Sequence, residues 1–370
     1  QAEDGIRDVE RSRGLGDVYK RQDIGCYDKD LGWGFRPNSE DRLITSEFDV
    51  VYRINSQGIR DKETPYIKPL GEFRVLALGE STVMGEGIKY GERFTEIIEE
   101  ALSDTGVVNL GVWGFGMDQS FLQLKREGLR YQPDLVILFV IEPFLQRCKD
   151  FIRVGAFKPR FVLNSSKDRL VLQDIDFIKD NFSKSIRTET AKDVDADKNE
   201  REDKKNGIFK NSSLRKLITY SMKIKNANKE LTYKERDRGY WQNIYRVLSE
   251  EEKWRTLYDS NDFNKLIFLL LKNYRDFCNR HSADFLVVYI GAYKPSAPLK
   301  ELCKTLDIPY LDLSTIMANA KRVKSLRFQI DPHYSPFAHR VIGEYVANYL
   351  KNKYGLKGND EFVYSYLSKF

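Results

Sequence analysis

The sequence predicts an α/β fold: a three-layer α/β/α sandwich around a parallel sheet. Apolar segments of strand length recur at Val75 to Gly79, Val107 to Leu110, Leu135 to Ile141, Asp284 to Ile290 and Pro309 to Leu313. Stretches with helical period separate most of them, as a parallel sheet covered on both faces requires. A tight Gly79-Glu80-Ser81 turn follows the first strand, at the end of the sheet where such folds carry their sites.

Taken in order, residues 1–22 (QAEDGIRDVERSRGLGDVYKRQ) show no helical or strand period and no apolar face. They resemble a translated sequencing-library adaptor and are set aside from the fold. On this reading the natural N-terminus is missing, with any signal peptide or membrane anchor. Residues 23–72 form a lead-in that packs on the core and offers a wall for the site. Within it, Phe48 to Ile54 has strand composition, and Asn55, Ser56 and Gly58 read as a turn.

The core occupies 73–151 and 257–352. Arg93 to Ser103 carries Phe94, Ile97, Ile98, Ala101 and Leu102 at helical spacing. Gly111, Gly114 and Gly116 make a glycine-rich turn after the second strand. Met117 to Arg130 reads as a helix, and Gln132-Pro133-Asp134 breaks it before the third strand. Residues 152–256 read as an insertion. In it, Phe157 to Leu163 pairs as a hairpin arm with Leu170 to Leu172. Lys179 to Asn211 is a charged stretch, expected to be a mobile loop because it has too little apolar surface to fold alone. Ser213 to Leu248 is helical in part. Trp254 to His281 resumes the helical pattern, Ala297 to Leu306 follows, and Ser335 to Leu350 is the terminal helix, leaving 353–370 as a tail. Five strands with crossover helices predict a flavodoxin-like winding, and no internal repeat is present.

Composition narrows the function classes. The net charge of +6 is modest for 370 residues, and acids are interspersed with Lys and Arg. This gives no nucleic-acid footprint and leaves only weak attraction to anionic polymers. No run of about eighteen apolar residues exists to span a membrane. The four cysteines, Cys26, Cys148, Cys278 and Cys303, lack metal-ligand spacing, and free thiols or two disulfides both fit.

The chemistry concentrates in three places. A serine on a strand-to-helix turn stands above the sheet with backbone N–H groups around it, so Ser81 is a candidate nucleophile. The alternative is an ordinary helix-capping or turn serine. A nucleophilic serine needs a base, and the base an orienting group. Of three histidines, His281 suits a helix C-terminus and His339 lies within the terminal helix. His333 lies in Asp331-Pro332-His333, where extended backbone turns positions i and i+2 to one side. Asp331 then meets one ring nitrogen and the other faces Ser81, with Ser335 capping the following helix. The Ser81 and Gly114 N–H groups are candidate oxyanion donors, the alternative for Gly114 being a plain turn.

These pieces resemble, in order, the SGNH hydrolases, or GDSL-type esterases. LALGEST resembles their first block, with Glu80 where Asp is usual, and VVNLGVWGFGMDQ the second, aligning Gly114 with the oxyanion glycine. DPHYSPFAH resembles the last block, with the shorter Asp–His spacing of some members. LGWGFRPN, INSQGIRD and KPRF resemble a subgroup found near polysaccharide-modification genes. The third-block asparagine, an oxyanion donor, is absent. Val140-Ile141-Glu142-Pro143-Phe144 stands there. Glu142 is then a substrate-side residue that cannot donate as an anion. Protonated Glu142 or another group such as Gln146 is the substitute.

The resemblance implies a serine esterase without cofactor or metal, acting on an O-acetyl or short acyl ester of a small molecule or a polysaccharide. Two alternatives are a polysaccharide O-acetyltransferase using the same Ser81, His333 and Asp331, and a non-catalytic carbohydrate-binding or assembly protein on a hydrolase scaffold. With a lost N-terminus the expected location is the cell envelope or periplasm, and membrane association would run only through that segment. The cytoplasm is the alternative.

Overall fold

The computed structural model describes residues 24–154, 156–181, 260–291 and 296–365. The expected leader, most of the charged loop and the stretch 213–248 lie outside the described residues. Five strands, β1 (Phe73–Leu78), β2 (Thr105–Asn109), β3 (Leu135–Val140), β4 (Asp284–Tyr289) and β5 (Tyr310–Asp312), form one parallel sheet in the order β5-β4-β3-β1-β2. This is the flavodoxin-like winding expected from the sequence. The order reverses between β1 and β3, and a crevice opens beyond the carboxyl ends at such a reversal.

Eight helices are used below: α1 (Ser81–Met84), α2 (Phe94–Ala101), α3 (Met117–Arg126), α4 (Glu142–Gln146), α5 (Ser260–Arg280), α6 (Ala297–Thr305), α7 (Ser314–Lys321) and α8 (Pro336–Tyr354). Strand side chains alternate between two cores. Leu76, Leu78, Val136 and Leu138 pack with Phe121 and Leu124 of α3 and with Leu266, Leu270 and Tyr274 of α5. Val75, Ala77, Leu135 and Ile137 pack with Phe94 and Ile98 of α2, Met317 of α7 and Val341 and Ile342 of α8. All six side chains of β3 are buried, as a central parallel strand requires.

Helices α1, α4 and α7 have no counterpart in the sequence reading. Four and five residues are too few for a helical period in α1 and α4, and α7 buries only Ser314, Ile316, Met317 and Ala320, too sparse an apolar stripe to stand out. Helix α3 ends at Arg126, four residues short of the expected end, and the chain tightens into a 3₁₀ turn over Gly128–Tyr131. At the other end, α8 continues to Tyr354. Residues beyond it fold back, with Ser103 N–H donating to Lys357 O (2.9 Å) and Phe362 buried.

The lead-in is two antiparallel hairpins, Gly25–Asp28 with Gly32–Phe35 and Ser39–Ile44 with Asp49–Ile54. Trp33, Phe35, Tyr52 and Ile54 bury a third core against Met84 of α1 and against Val112 and Phe115 of the glycine-rich turn. The lead-in therefore packs on the segments that leave β1 and β2. In the insertion, Arg160–Leu163 pairs with Leu170–Gln173, and Phe161 packs on Phe121. Lys158 is wholly buried. Its Nζ donates to Asp118 Oδ2 (2.6 Å) and to the carbonyls of Arg147 and Asp150 (3.1 Å each). Three donors meet three acceptors, which is what makes a buried lysine tolerable. All four cysteines are free thiols.

Candidate active site

β1 delivers Ser81 through a turn that opens with Gly79, where a Cβ would lie 2.3 Å from Val83 Cγ2. The chain after β2 runs against α1 so closely that a Cβ on Gly111 would lie 2.3 Å from Met84 N. The helix N-cap is Glu80, not Ser81: Glu80 Oε1 accepts the Thr82 N–H at 2.9 Å. Capping is thus taken by the neighbour, and the Ser81 hydroxyl is directed elsewhere. Its Oγ lies 2.8 Å from His333 Nε2 and 2.6 Å from Glu80 Oε2.

His333 arrives from the opposite side, on the loop before α8. Its Nδ1 is 2.6 Å from Asp331 Oδ1, and the same oxygen accepts the His333 N–H at 2.9 Å. The two side chains are brought together across Pro332 as expected, but through a bend at Asp331 and His333 and not an extended segment. Four supports fix the loop. Glu47 of the lead-in accepts the N–H groups of Gln329, Ile330 (3.0 Å) and Asp331 (2.7 Å). Phe48 packs on Phe328 with ring centroids 5.0 Å apart. Tyr334 donates its hydroxyl to Ile290 O just past β4 (3.1 Å), and Ser335 caps α8 through the Ala338 N–H (3.4 Å).

Gly114 sits in the turn after β2 with φ of +73°, in the left-handed region that favours glycine. A Cβ there would meet Val154 Cγ1 at 3.0 Å. Glu142 is exposed at the first turn of α4. Among the described residues, its side chain accepts one long hydrogen bond, from Gln146 Nε2 (3.4 Å), and none joins it to Ser81, Asp331 or His333.

The electrostatics centre on Glu80, which is buried beside the serine. Burial alone would raise its carboxyl. The Arg147 guanidinium at 3.0 Å outweighs this, with hydrogen bonds from Ser81 and Thr82 and the nearby His333 ring, and holds the carboxyl at about 2. His339, by contrast, is core. It stacks on Phe94, its Nδ1 accepts the Phe94 N–H (3.2 Å), and burial with the nearby Arg93 and Arg60 charges pushes its imidazole down to about 3. His281 is exposed just past the end of α5.

No protein-family profile and no curated protein matches the chain. Among solved structures, it is similar to a protein from Desulfitobacterium hafniense assigned to the G-D-S-L lipolytic family, with 12% identity and a TM-score of 0.34, over 75% of this chain and 99% of that one. A gut microbial diltiazem-metabolizing enzyme is similar at 9% identity and a TM-score of 0.31, over 78% of this chain and 48% of that one. At these scores neither likeness assigns a family or a reaction.

Several site residues were not singled out in the sequence. Arg60 donates to Met84 O (3.0 Å) and Ile88 O (2.6 Å), holding the carbonyls that end α1. Asp61 accepts the Asn109 N–H at the end of β2 (2.8 Å) and faces Arg93. Both lie in INSQGIRD, and Lys158 lies in KPRF. Those motifs stood out only by resemblance, because the partners cited for Arg60 and Asp61 lie 24 to 48 residues away and the Asp118 partner of Lys158 lies 40 away. Arg147 carried no sequence signal at all.

Proposed function

We propose that the chain is a serine-dependent esterase that cleaves an O-acetyl or short acyl ester. The observation that carries this reading is the hydrogen-bonded series Ser81 Oγ, His333 Nε2, His333 Nδ1, Asp331 Oδ1, with links of 2.8 and 2.6 Å. A hydroxyl, an imidazole and a carboxylate in that order are the parts that acyl transfer needs. Ser81 Oγ attacks the ester carbonyl as His333 takes its proton. His333 returns that proton to the leaving alcohol, giving an acyl-Ser81. Water then attacks with His333 again as base, and the acid is released. Asp331 keeps the ring in the tautomer that leaves Nε2 to accept. The Ser81 and Gly114 N–H groups hold the developing oxyanion. This assigns two donors, and Glu142 supplies no third, so the rate should fall below that of a three-donor site by on the order of a hundredfold. The alcohol is placed as a carbohydrate hydroxyl on the sequence resemblance of LGWGFRPN, INSQGIRD and KPRF.

The test is turnover of p-nitrophenyl acetate and of an acetylated oligosaccharide. Ser81→Ala and His333→Ala should each lower kcat by roughly 10⁴-fold or more, and Asp331→Asn comparably, with the fold retained by circular dichroism. Unchanged turnover in Ser81→Ala would remove the assignment.

A further inference from the structure

The Ser81 hydroxyl has one proton and two close acceptors. Its Oγ lies 2.6 Å from Glu80 Oε2 and 2.8 Å from His333 Nε2. A carboxylate only accepts, a hydroxyl donates once, and a neutral ring protonated at Nδ1 only accepts at Nε2. Both contacts are therefore hydrogen bonds together only when the cluster carries a second proton, on Glu80 or on Nε2. Glu80 is the poorer holder. Its Oε2 already receives Arg147 Nη1 at 3.0 Å, and its Oε1 receives the Thr82 N–H at 2.9 Å. With the second proton on Nε2, the ring donates to Asp331 and to Ser81, and Ser81 donates to Glu80. In that form the base is already occupied and the serine proton points away from it.

We infer that Glu80 is a positioning residue that competes with His333 for the Ser81 proton and holds the hydroxyl unreactive until the second proton leaves the cluster. The inference rests on the esterase reading for its consequence. The competition itself rests on geometry. When the second proton passes to solvent, the hydroxyl turns from Glu80 to Nε2, and Glu80 keeps Arg147 and Thr82. Arg147 offsets the Glu80 charge and so sets how strongly Glu80 competes. Among the described residues, Asp331 bonds the ring, His339 of α8 acts on it electrostatically as a neutral imidazole, and Glu47 on the Asp331 N–H and Arg327 on the Pro332 carbonyl are the charges on the loop that carries it.

The test follows the His333 ring by ¹⁵N NMR across pH in the full chain, beside the pH dependence of fluorophosphonate labelling. In Glu80→Gln the neutral amide donates to Oγ and the competing charge is gone. The His333 midpoint and the acid limb of labelling should both move down by about one pH unit, a tenfold change. Arg147→Gln should move both upward, and Glu80→Asp, which keeps the charge, should leave them close to the unaltered chain. A role confined to folding produces no such opposite shifts. If Glu80→Gln does not fold, the upward shift in Arg147→Gln decides. Unmoved midpoints in the folded variants would overturn the inference while leaving the esterase reading intact. Moved midpoints in a protein that never labels would support the competition and remove the esterase reading.

Discussion

At the scale of the residue, Ser81 differs from an ordinary helix-start serine because Glu80 takes the cap and the hydroxyl lies between Glu80 and His333. The pairing of Asp331 with His333 was legible from their i, i+2 spacing around Pro332, although the structure achieves it through a bend closed by the His333 N–H on Asp331 Oδ1 and not through extended backbone. The Glu80–Arg147 pair was not, because nothing local joins residues 67 apart. His339 shows how little residue type says about role: it is as histidine as His333 but lies in the core. Its imidazole falls from an ordinary 6.5 to about 3 on folding, so the unfolded chain binds the proton more readily. Its contribution to stability is complete above about pH 6.5 and is lost as pH falls toward 3, at up to about 1.4 kcal/mol per pH unit. Urea unfolding at pH 7 and pH 5 should show this loss, and His339→Gln should shrink the difference between the two pH values.

At the scale of the element, the lead-in is part of the site. Glu47 holds the loop carrying Asp331, and Arg60 holds the carbonyls after α1. The sequence suggested a wall here; the hydrogen bonds make it a brace for both halves of the proposed machinery. Glu47→Ala should lower kcat by roughly 10- to 100-fold through a loosened His333 loop, with KM and melting temperature little changed. Equal losses in kcat and melting temperature would count against a positioning role. The insertion is tied in by the Lys158–Asp118 pair, which fixes the backbone at Arg147 and Asp150. Lys158→Met leaves Asp118 buried and unpaired and should cost about 3–5 kcal/mol in urea unfolding. Adding Asp118→Leu should recover much of that loss, because no lone charge then remains.

At the scale of the whole molecule, the parallel sheet and its flavodoxin-like order were legible because buried strands are short, apolar and regularly spaced between helices. What was hidden is what strands do not encode: the three short helices α1, α4 and α7, and the ties between lead-in, glycine-rich turn and His333 loop. The sheet places Ser81 at the carboxyl end of β1, beside the point where the strand order reverses. The most direct measurement is the mass of a fluorophosphonate adduct on the intact chain, located by peptide mapping. One adduct is expected, on Ser81, absent from Ser81→Ala and strongly reduced in His333→Ala. A folded protein that takes no adduct, or takes it on another residue, would contradict it.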